Sequence, residues 1–127
     1  MEIEYLNTDL QIESLADLTI VVDELGEDVF VLFNGQIKGY NMVSFETNDV
    51  HSGADETINH FCLLIENLSP QARTLWDECV SREFDIGYQG GDSGSSFHSK
   101  LRAATLKRVA ALGAHMLASE QPGRRVG

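Results

Sequence analysis

A hairpin between helical segments is the feature that most constrains the fold of this chain. Residues 29–33, VFVLF, form an uninterrupted run of β-forming side chains, which is typical of a central strand covered on both faces. The turn sequence NGQIKG (34–39) separates this run from YNMVSFET (40–47), in which polar and apolar residues alternate. The two segments and their turn therefore predict a β-hairpin.

Segments with helical periodicity lie on both sides of the hairpin. Residues 14–26, SLADLTIVVDELG, place apolar residues at helical spacing between a capping Ser14 and a terminating Gly26. After the hairpin, one helix is predicted over 55–68, and another begins at the Ser69-Pro70 pair. The side chains expected to reach the core from the predicted helices are Leu15, Leu18, Val21, Val22, Leu25, Ile58, Phe61, Cys62, Ile65, Leu68, Ala72, Leu75, Trp76, Cys79, Val80, Leu106, Val109 and Ala110.

The complete order of predicted elements is β-α-β-β-α-α-β-α-β. It indicates an α+β fold with a mainly antiparallel sheet, helices packed on one face and a ferredoxin-like, split βαβ arrangement. A chain of 127 residues forms one domain, which we expect over residues 1–120, followed by a flexible tail at 121–127. The remaining predicted segments are strands at 1–6, 82–88 and 114–119 and a helix at 102–112.

The tetrapeptide GDSG (91–94) matches the residues around the nucleophilic serine of trypsin-like proteases. Such catalysis needs a histidine base, an orienting carboxylate and an oxyanion hole, and the chain around Ser93 supplies no such set. Glycines and Asp92 are turn formers placed between a predicted strand and a helix, so we interpret this stretch as a connecting loop. We therefore predict a non-enzymatic protein with no catalytic residues.

The histidines and cysteines do not occur at the spacing of metal ligands. The sequence contains neither C-x-x-C nor H-E-x-x-H. Cys62 and Cys79 fall on the apolar sides of two predicted helices, where a free cysteine packs as a small hydrophobe. With no export signal, free thiols in a reducing cytoplasm are expected. We predict no metal site and no cofactor.

Charge is the strongest compositional signal for function. Residues 1–70 carry 14 Asp and Glu against the single basic Lys38, whereas residues 71–127 carry 6 acidic and 8 basic residues. The acidic half, residues 1–70, is not expected to bind nucleic acid directly, because phosphate contacts require Lys and Arg. The longest apolar runs have five residues, against roughly 20 for a membrane helix. We expect a cytoplasmic protein that binds neither nucleic acid nor membrane.

The acidic side chains form two groups that could meet in the fold. One group lies at the end of the first helix, and the other lies around the hairpin and the loop after it. A one-sided negative surface steers a basic partner and selects it by charge complementarity. The predicted partner-binding residues are Asp23, Glu24, Glu27, Asp28, Glu46, Asp49, Asp55 and Glu56.

The C-terminal half carries a resemblance to a protein family. The strand REFDIGYQGG (82–91), a loop and the helix LRAATLKRVAALGA (101–114) resemble a pattern found in small bacterial proteins. With its acidic composition, the chain is similar to immunity proteins, the cytosolic antidotes of contact-dependent or secreted bacterial toxins. The resemblance implies a protein that binds and neutralises a basic toxin domain, such as a nuclease. Two alternatives remain open: a small enzyme or ligand-binding domain with a pocket near residues 89–98, which include His98, and a structural subunit that oligomerises through a sheet edge.

Overall fold

Five strands form one sheet in the part of the chain that the structure describes, and helices cover one of its faces. The computed structural model describes residues 4–47, 53–89 and 101–121. A short 3-10 turn, Gly26–Asp28, follows the first helix. The elements are the strands β1 (Glu4–Ser14), β2 (Val29–Ile37), β3 (Tyr40–Thr47), β4 (Ser81–Gln89) and β5 (His115–Gln121), and the helices α1 (Thr19–Leu25), α2 (Ala54–Glu66), α3 (Pro70–Asp77) and α4 (Ala103–Ala111).

The sheet has the order β2-β3-β1-β4-β5, with β1 at its centre. β1 is antiparallel to both β3 and β4, and β2 is antiparallel to β3. These four strands follow the split βαβ arrangement, because helical crossovers connect β1 to β2 and β3 to β4. β5 then joins β4 in parallel through α4. The predicted α+β class and element order are confirmed, and the parallel fifth strand distinguishes the sheet from a plain ferredoxin-like one.

The central strand β1 is longer than predicted, because its alternation continues through Ser14. Leu10 and Ile12 are fully buried against the helices. Asp9 and Gln11, which alternate with these two residues along the strand, are half-buried on the opposite face of the sheet. We call this opposite side, which carries the alternate side chains of all five strands, the outer face.

Helix α1 begins later than predicted. Because Ser14 belongs to β1, it does not cap the helix, and Asp17 instead accepts a hydrogen bond from the backbone N–H of Thr19 at 2.8 Å. Leu15 lies in the connection with 73% of its surface exposed, so its predicted place in the core is wrong. Val21 is buried as predicted. The segment forms a helix, as its periodicity predicts, but the helix begins at Thr19 because β1 extends to Ser14.

Strand β2 forms an edge of the sheet, so the prediction of a central, doubly covered strand is wrong. Only Val29 of this strand is buried, and Phe30 and Leu32 are 59% and 51% exposed. An uninterrupted apolar run does not show how many layers cover it. The two crossovers place β3 and β4 beside β1, which leaves β2 outside. The hairpin turn is formed by Lys38 and Gly39, both with positive φ, as a tight two-residue turn requires.

The helices meet in one core around Trp76, which is fully buried as predicted. Its indole Nε1 donates a hydrogen bond to the carbonyl oxygen of Leu112 at 3.0 Å and so connects α3 to the end of α4. Ser69 caps α3 as predicted, since its Oγ accepts from the N–H of Ala72 at 3.1 Å. Among the described residues, no helix has the length and apolar character that a membrane crossing requires.

Helix α4 buries Val109 as predicted, but the rest of its buried stripe differs from the predicted one. Leu106 is 42% exposed and Ala110 is exposed, whereas Thr105 and Val109 are buried. Small and apolar residues occur on several sides of AATLKRVAA, so periodicity alone does not select the buried face. Val80, which is 57% exposed after α3, is also not a core residue.

Arg82 at the start of β4 connects the ends of two helices. Its Nη1 donates to the carbonyl oxygens of Trp76, Asp77 and Cys79 at 2.9, 2.9 and 3.1 Å. Its Nε donates to the carbonyl oxygen of Gly113, after α4, at 3.0 Å. The last carbonyls of a helix have no partner within it and attract positive charge, so one guanidinium stabilises both ends.

Candidate functional site

Three carboxylates lie side by side across the centre of the outer face. Asp9 of β1 is directly opposite Asp85 of β4 in the strand register. Glu46 of β3 is the next residue after the Leu10–Phe45 pair, which places it beside Asp9 on the other side. Neighbouring strands are about 5 Å apart, so the three side chains form a short line of negative charge. We call Glu46, Asp9 and Asp85 the acidic row.

The acidic row perturbs the central carboxyl strongly. Burial, followed by the charges of Glu46 and Asp85, raises the pKa of Asp9 from 3.8 to about 6. The side-chain amide of Asn7 donates a hydrogen bond to the Asp9 carboxylate at 3.3 Å. Like charges directly opposite each other destabilise a sheet, so this arrangement weakens the fold at neutral pH.

Asp85 has an unused acceptor within the acidic row. Its Oδ1 is buried and has no hydrogen-bond partner among the described residues. A buried acceptor without a donor is normally avoided, because desolvation is not compensated. None of the ion pairs between described residues involves Glu46, Asp9 or Asp85. The acidic row therefore offers hydrogen-bond acceptors and negative charge that the described fold does not use.

Exposed apolar side chains stand at both ends of the acidic row. Phe30 of the edge strand β2 is opposite Glu46 and is 59% exposed. Leu117 of the other edge strand, β5, is opposite Asp85 and is 46% exposed. The line across the sheet is therefore apolar at its ends and acidic at its centre. Cationic groups from a partner protein can pair with the centre while apolar groups contact the ends.

Two of the predicted partner-binding residues, Glu24 and Asp55, accept hydrogen bonds within the fold. Glu24 of α1 accepts hydrogen bonds from the backbone N–H of Ser69 at 2.8 Å and from its hydroxyl at 2.5 Å. These bonds hold the pKa of Glu24 below its usual value. Asp55 of α2 accepts from the backbone N–H and the Nε of Arg102, each at 2.8 Å. Burial raises the pKa of Asp55, but hydrogen bonds from Thr105 and Arg102 outweigh it and leave the pKa lowered.

The structure distributes the other predicted residues between different places. Glu46 is the one member of the predicted set that belongs to the acidic row. Asp23 is exposed at the end of α1, as are Glu27 and Asp28 in the 3-10 turn that follows. Glu56 is exposed in the first turn of α2, where negative charge favours the helix. Asp49 lies outside the described residues.

Arg108 of α4 and Arg102, which directly precedes this helix, are used inside the fold. Arg108 makes a two-pronged contact with Glu66 of α2, with Nε–Oε2 and Nη2–Oε1 distances of 3.0 and 2.7 Å. Its Nη1 also donates to the side-chain oxygen of Asn59 at 2.7 Å. Together with the Arg102–Asp55 pair, these contacts join α2 to α4. Part of the charge difference between the two halves of the chain is thus neutralised internally.

The described residues do not form a reactive-cysteine site or a metal site. Cys62 and Cys79 are buried, as predicted, and burial raises the pKa of each thiol to about 11, so neither is a reactive thiolate at neutral pH. No group of described His, Cys, Asp and Glu side chains is arranged to hold a metal ion. The GDSG stretch with Ser93, and His98 of the alternative pocket, lie outside the described residues.

Sequence reasoning missed Asp9 and Asp85 as site residues. Both occur in alternating segments, TDLQIES and REFDIGY, with a polar residue between buried ones. The signal was present in this alternation together with the split βαβ order, which places the first strand between the third and the fourth. Comparisons of the chain with protein-family models, with curated proteins and with solved structures found no match.

Proposed function

We propose that this chain is a non-enzymatic binding protein that engages a basic protein partner through the acidic row on its outer face. The most specific form of the proposal is a cytoplasmic immunity protein that neutralises a basic toxin domain, such as a nuclease. The observation that carries the proposal is the acidic row itself, in which three carboxylates adjoin and Asp85 has an unused buried acceptor.

The energetics of the acidic row support a role in binding. Burial, followed by the charges of Glu46 and Asp85, raises the pKa of Asp9, which means that ionising this carboxyl in the folded chain is unfavourable. Natural proteins retain locally destabilising arrangements mainly where function uses them. Positive charge from a partner would remove the repulsion, so binding energy and relief of repulsion would act together.

The proposed mechanism is occlusion of a cationic surface. Lys and Arg side chains of the partner pair with Glu46, Asp9 and Asp85, and a rotation of the Asp85 carboxyl group brings its buried, unused Oδ1 to one of these donors. Phe30 and Leu117 contact apolar residues at the rim. A nuclease uses Lys and Arg to hold phosphates, so a carboxylate surface on those residues blocks the substrate path. The net charge of −11 accelerates the encounter at low salt.

The test compares two variants with the same net charge. One neutralises the acidic row with Asp9→Asn, Glu46→Gln and Asp85→Asn, and the other neutralises the α1 end with Asp23→Asn, Glu27→Gln and Asp28→Asn. The basic partner is first captured from the native organism with the unmodified chain and identified by mass spectrometry. Its purified domain is then titrated against each variant by isothermal calorimetry.

We expect the acidic-row variant to bind at least about 100-fold more weakly, since even one lost charge contact at an interface costs on the order of 2 kcal/mol or more and this variant removes three. The α1-end variant is expected to bind within about threefold of the unmodified chain. Unchanged affinity in the acidic-row variant would rule out this surface. If the loss occurs in the α1-end variant instead, the interface lies on the other side of the molecule.

A further inference from the structure

The edge strand β2 presents an apolar surface that the described fold leaves open. Within the described residues, β2 pairs with β3 on one side and has no strand on the other. Its exposed apolar residues share one short segment and reach exposures of 40–59%. They are Phe30, Val31, Leu32, Phe33 and Ile37.

Edge strands of this kind normally carry protection against pairing. Natural proteins place charges, proline or bulges on an exposed edge, because its unpaired N–H and C=O groups bind any other strand. Residues 29–37 contain no charged residue and no proline. A bulge between Val31 and Phe33 is the one such device on this strand. Phe33 folds its ring over Gly35, so even the glycine is covered by an apolar group.

We propose that β2 pairs with β2 of a second copy of this chain, antiparallel and across a two-fold axis, to form a continuous ten-stranded sheet. An antiparallel pair of identical strands is self-complementary and closes after two copies. The strong negative charge of the chain restricts where two copies can approach each other, and an uncharged edge satisfies that restriction. The proposal does not rest on the partner at the acidic row, although the two surfaces share Phe30, which lies at one end of that row.

The available area indicates the strength of this dimer. An aromatic side chain buries about 150–250 Å² when fully covered, so the five exposed side chains offer on the order of 400 Å² per copy. Two copies together bury roughly 800 Å² of such surface, below the roughly 1,200 Å² of a standard stable interface. Backbone hydrogen bonds along β2 add to this. The dimer is therefore expected to form in the micromolar concentration range.

The test uses light scattering after size exclusion on the full chain at protein concentrations from about 5 to about 500 μM. The unmodified chain is expected to approach twice its 14.0 kDa mass at the high end. Leu32→Lys places a charge on the β2 edge and is expected to keep the chain monomeric throughout. Leu117→Lys places the same charge on the β5 edge, at a similarly exposed position, and is expected to dimerise like the unmodified chain.

Hydrogen exchange supplies a second readout that does not depend on a substitution. Amide protection over residues 29–37 is expected to increase with protein concentration, while protection over 115–121 does not change. A chain that stays monomeric at the highest concentration overturns the proposal. So does a dimer that Leu117→Lys abolishes, since that dimer uses β5. Oligomers larger than two also contradict it, because they indicate open-ended pairing of β2 with β5.

Discussion

Replacing Asp9 by Asn is expected to stabilise the protein at neutral pH and to have no effect in acid. In the folded chain the pKa of Asp9 is about 6, against an ordinary value of 3.8. The folded state therefore binds this proton more tightly than the unfolded state does. Between these two values, lowering the pH stabilises the folded chain, and raising the pH above 6 removes that stabilisation.

The magnitude follows from the size of the shift. Two pH units correspond to about 3 kcal/mol, and solvent screening of a half-buried group reduces this to about 1–2 kcal/mol. Asp9→Asn removes the ionised form and keeps an oxygen that can accept from Asn7. We therefore expect the variant to be more stable than the unmodified chain by about 1–2 kcal/mol at pH 8 and by nearly nothing at pH 4.

The assay is urea unfolding followed by circular dichroism at several pH values between 4 and 8. The quantity of interest is the difference in free energy of unfolding between variant and unmodified chain, since other carboxylates contribute equally to both. Asp23→Asn is the matched control, because it makes the same Asp-to-Asn change at the exposed end of α1, outside the acidic row. The pH dependence of the Asp9→Asn difference is read relative to this control. A difference for Asp9→Asn that does not change with pH, or that is destabilising at pH 8, would refute the reasoning.

Three further predictions concern the partner, Arg82 and the cysteines. Affinity for a basic partner is expected to fall about 10-fold between pH 8 and pH 5, because Asp9 with a pKa of about 6 becomes protonated, and Asp9→Asn is expected to flatten this profile in calorimetry. Arg82→Ala is expected to lower the free energy of unfolding by about 2–4 kcal/mol in urea titrations. Arg82→Lys is expected to recover little of this stability, because one ammonium group cannot reproduce the planar set of donors of a guanidinium. Cys62 and Cys79 are expected to resist iodoacetamide at pH 8 in the folded chain and to react rapidly in urea; fast labelling without denaturant would contradict their burial.

An element of the fold can be predicted from a local sequence pattern where that pattern is compatible with only one structure. The capping Ser69, the buried Trp76 and the alternation of β4 each have a single physical interpretation, and the structure confirms all three. The apolar run at 29–33 had two interpretations, a covered centre or an exposed edge. Only the order of strands decides between them, and that order depends on crossovers rather than on the run itself.

The candidate site was harder to predict because it is assembled across strands that are distant in sequence. Asp9 and Asp85 are 76 positions apart by their numbers and meet only through the register of β1 and β4. Acidic residues that are dense in sequence, such as Glu24 and Asp55, proved to accept hydrogen bonds within the fold. Charge density along the chain therefore does not show which acidic residues adjoin in the fold and which accept hydrogen bonds within it.

The four hydrogen bonds of Arg82 have a consequence for how the molecule opens. They join the end of α3 to Gly113, two residues after α4, and Gly113 lies 36 positions after Asp77 in the chain. If either helix end frays, the Arg82 side chain is released and its hydrogen bonds to the other helix end are lost as well. Residues 70–89 and 103–113 are therefore expected to exchange their amide hydrogens together, as one cooperative unit, while α1 opens independently at a lower free energy.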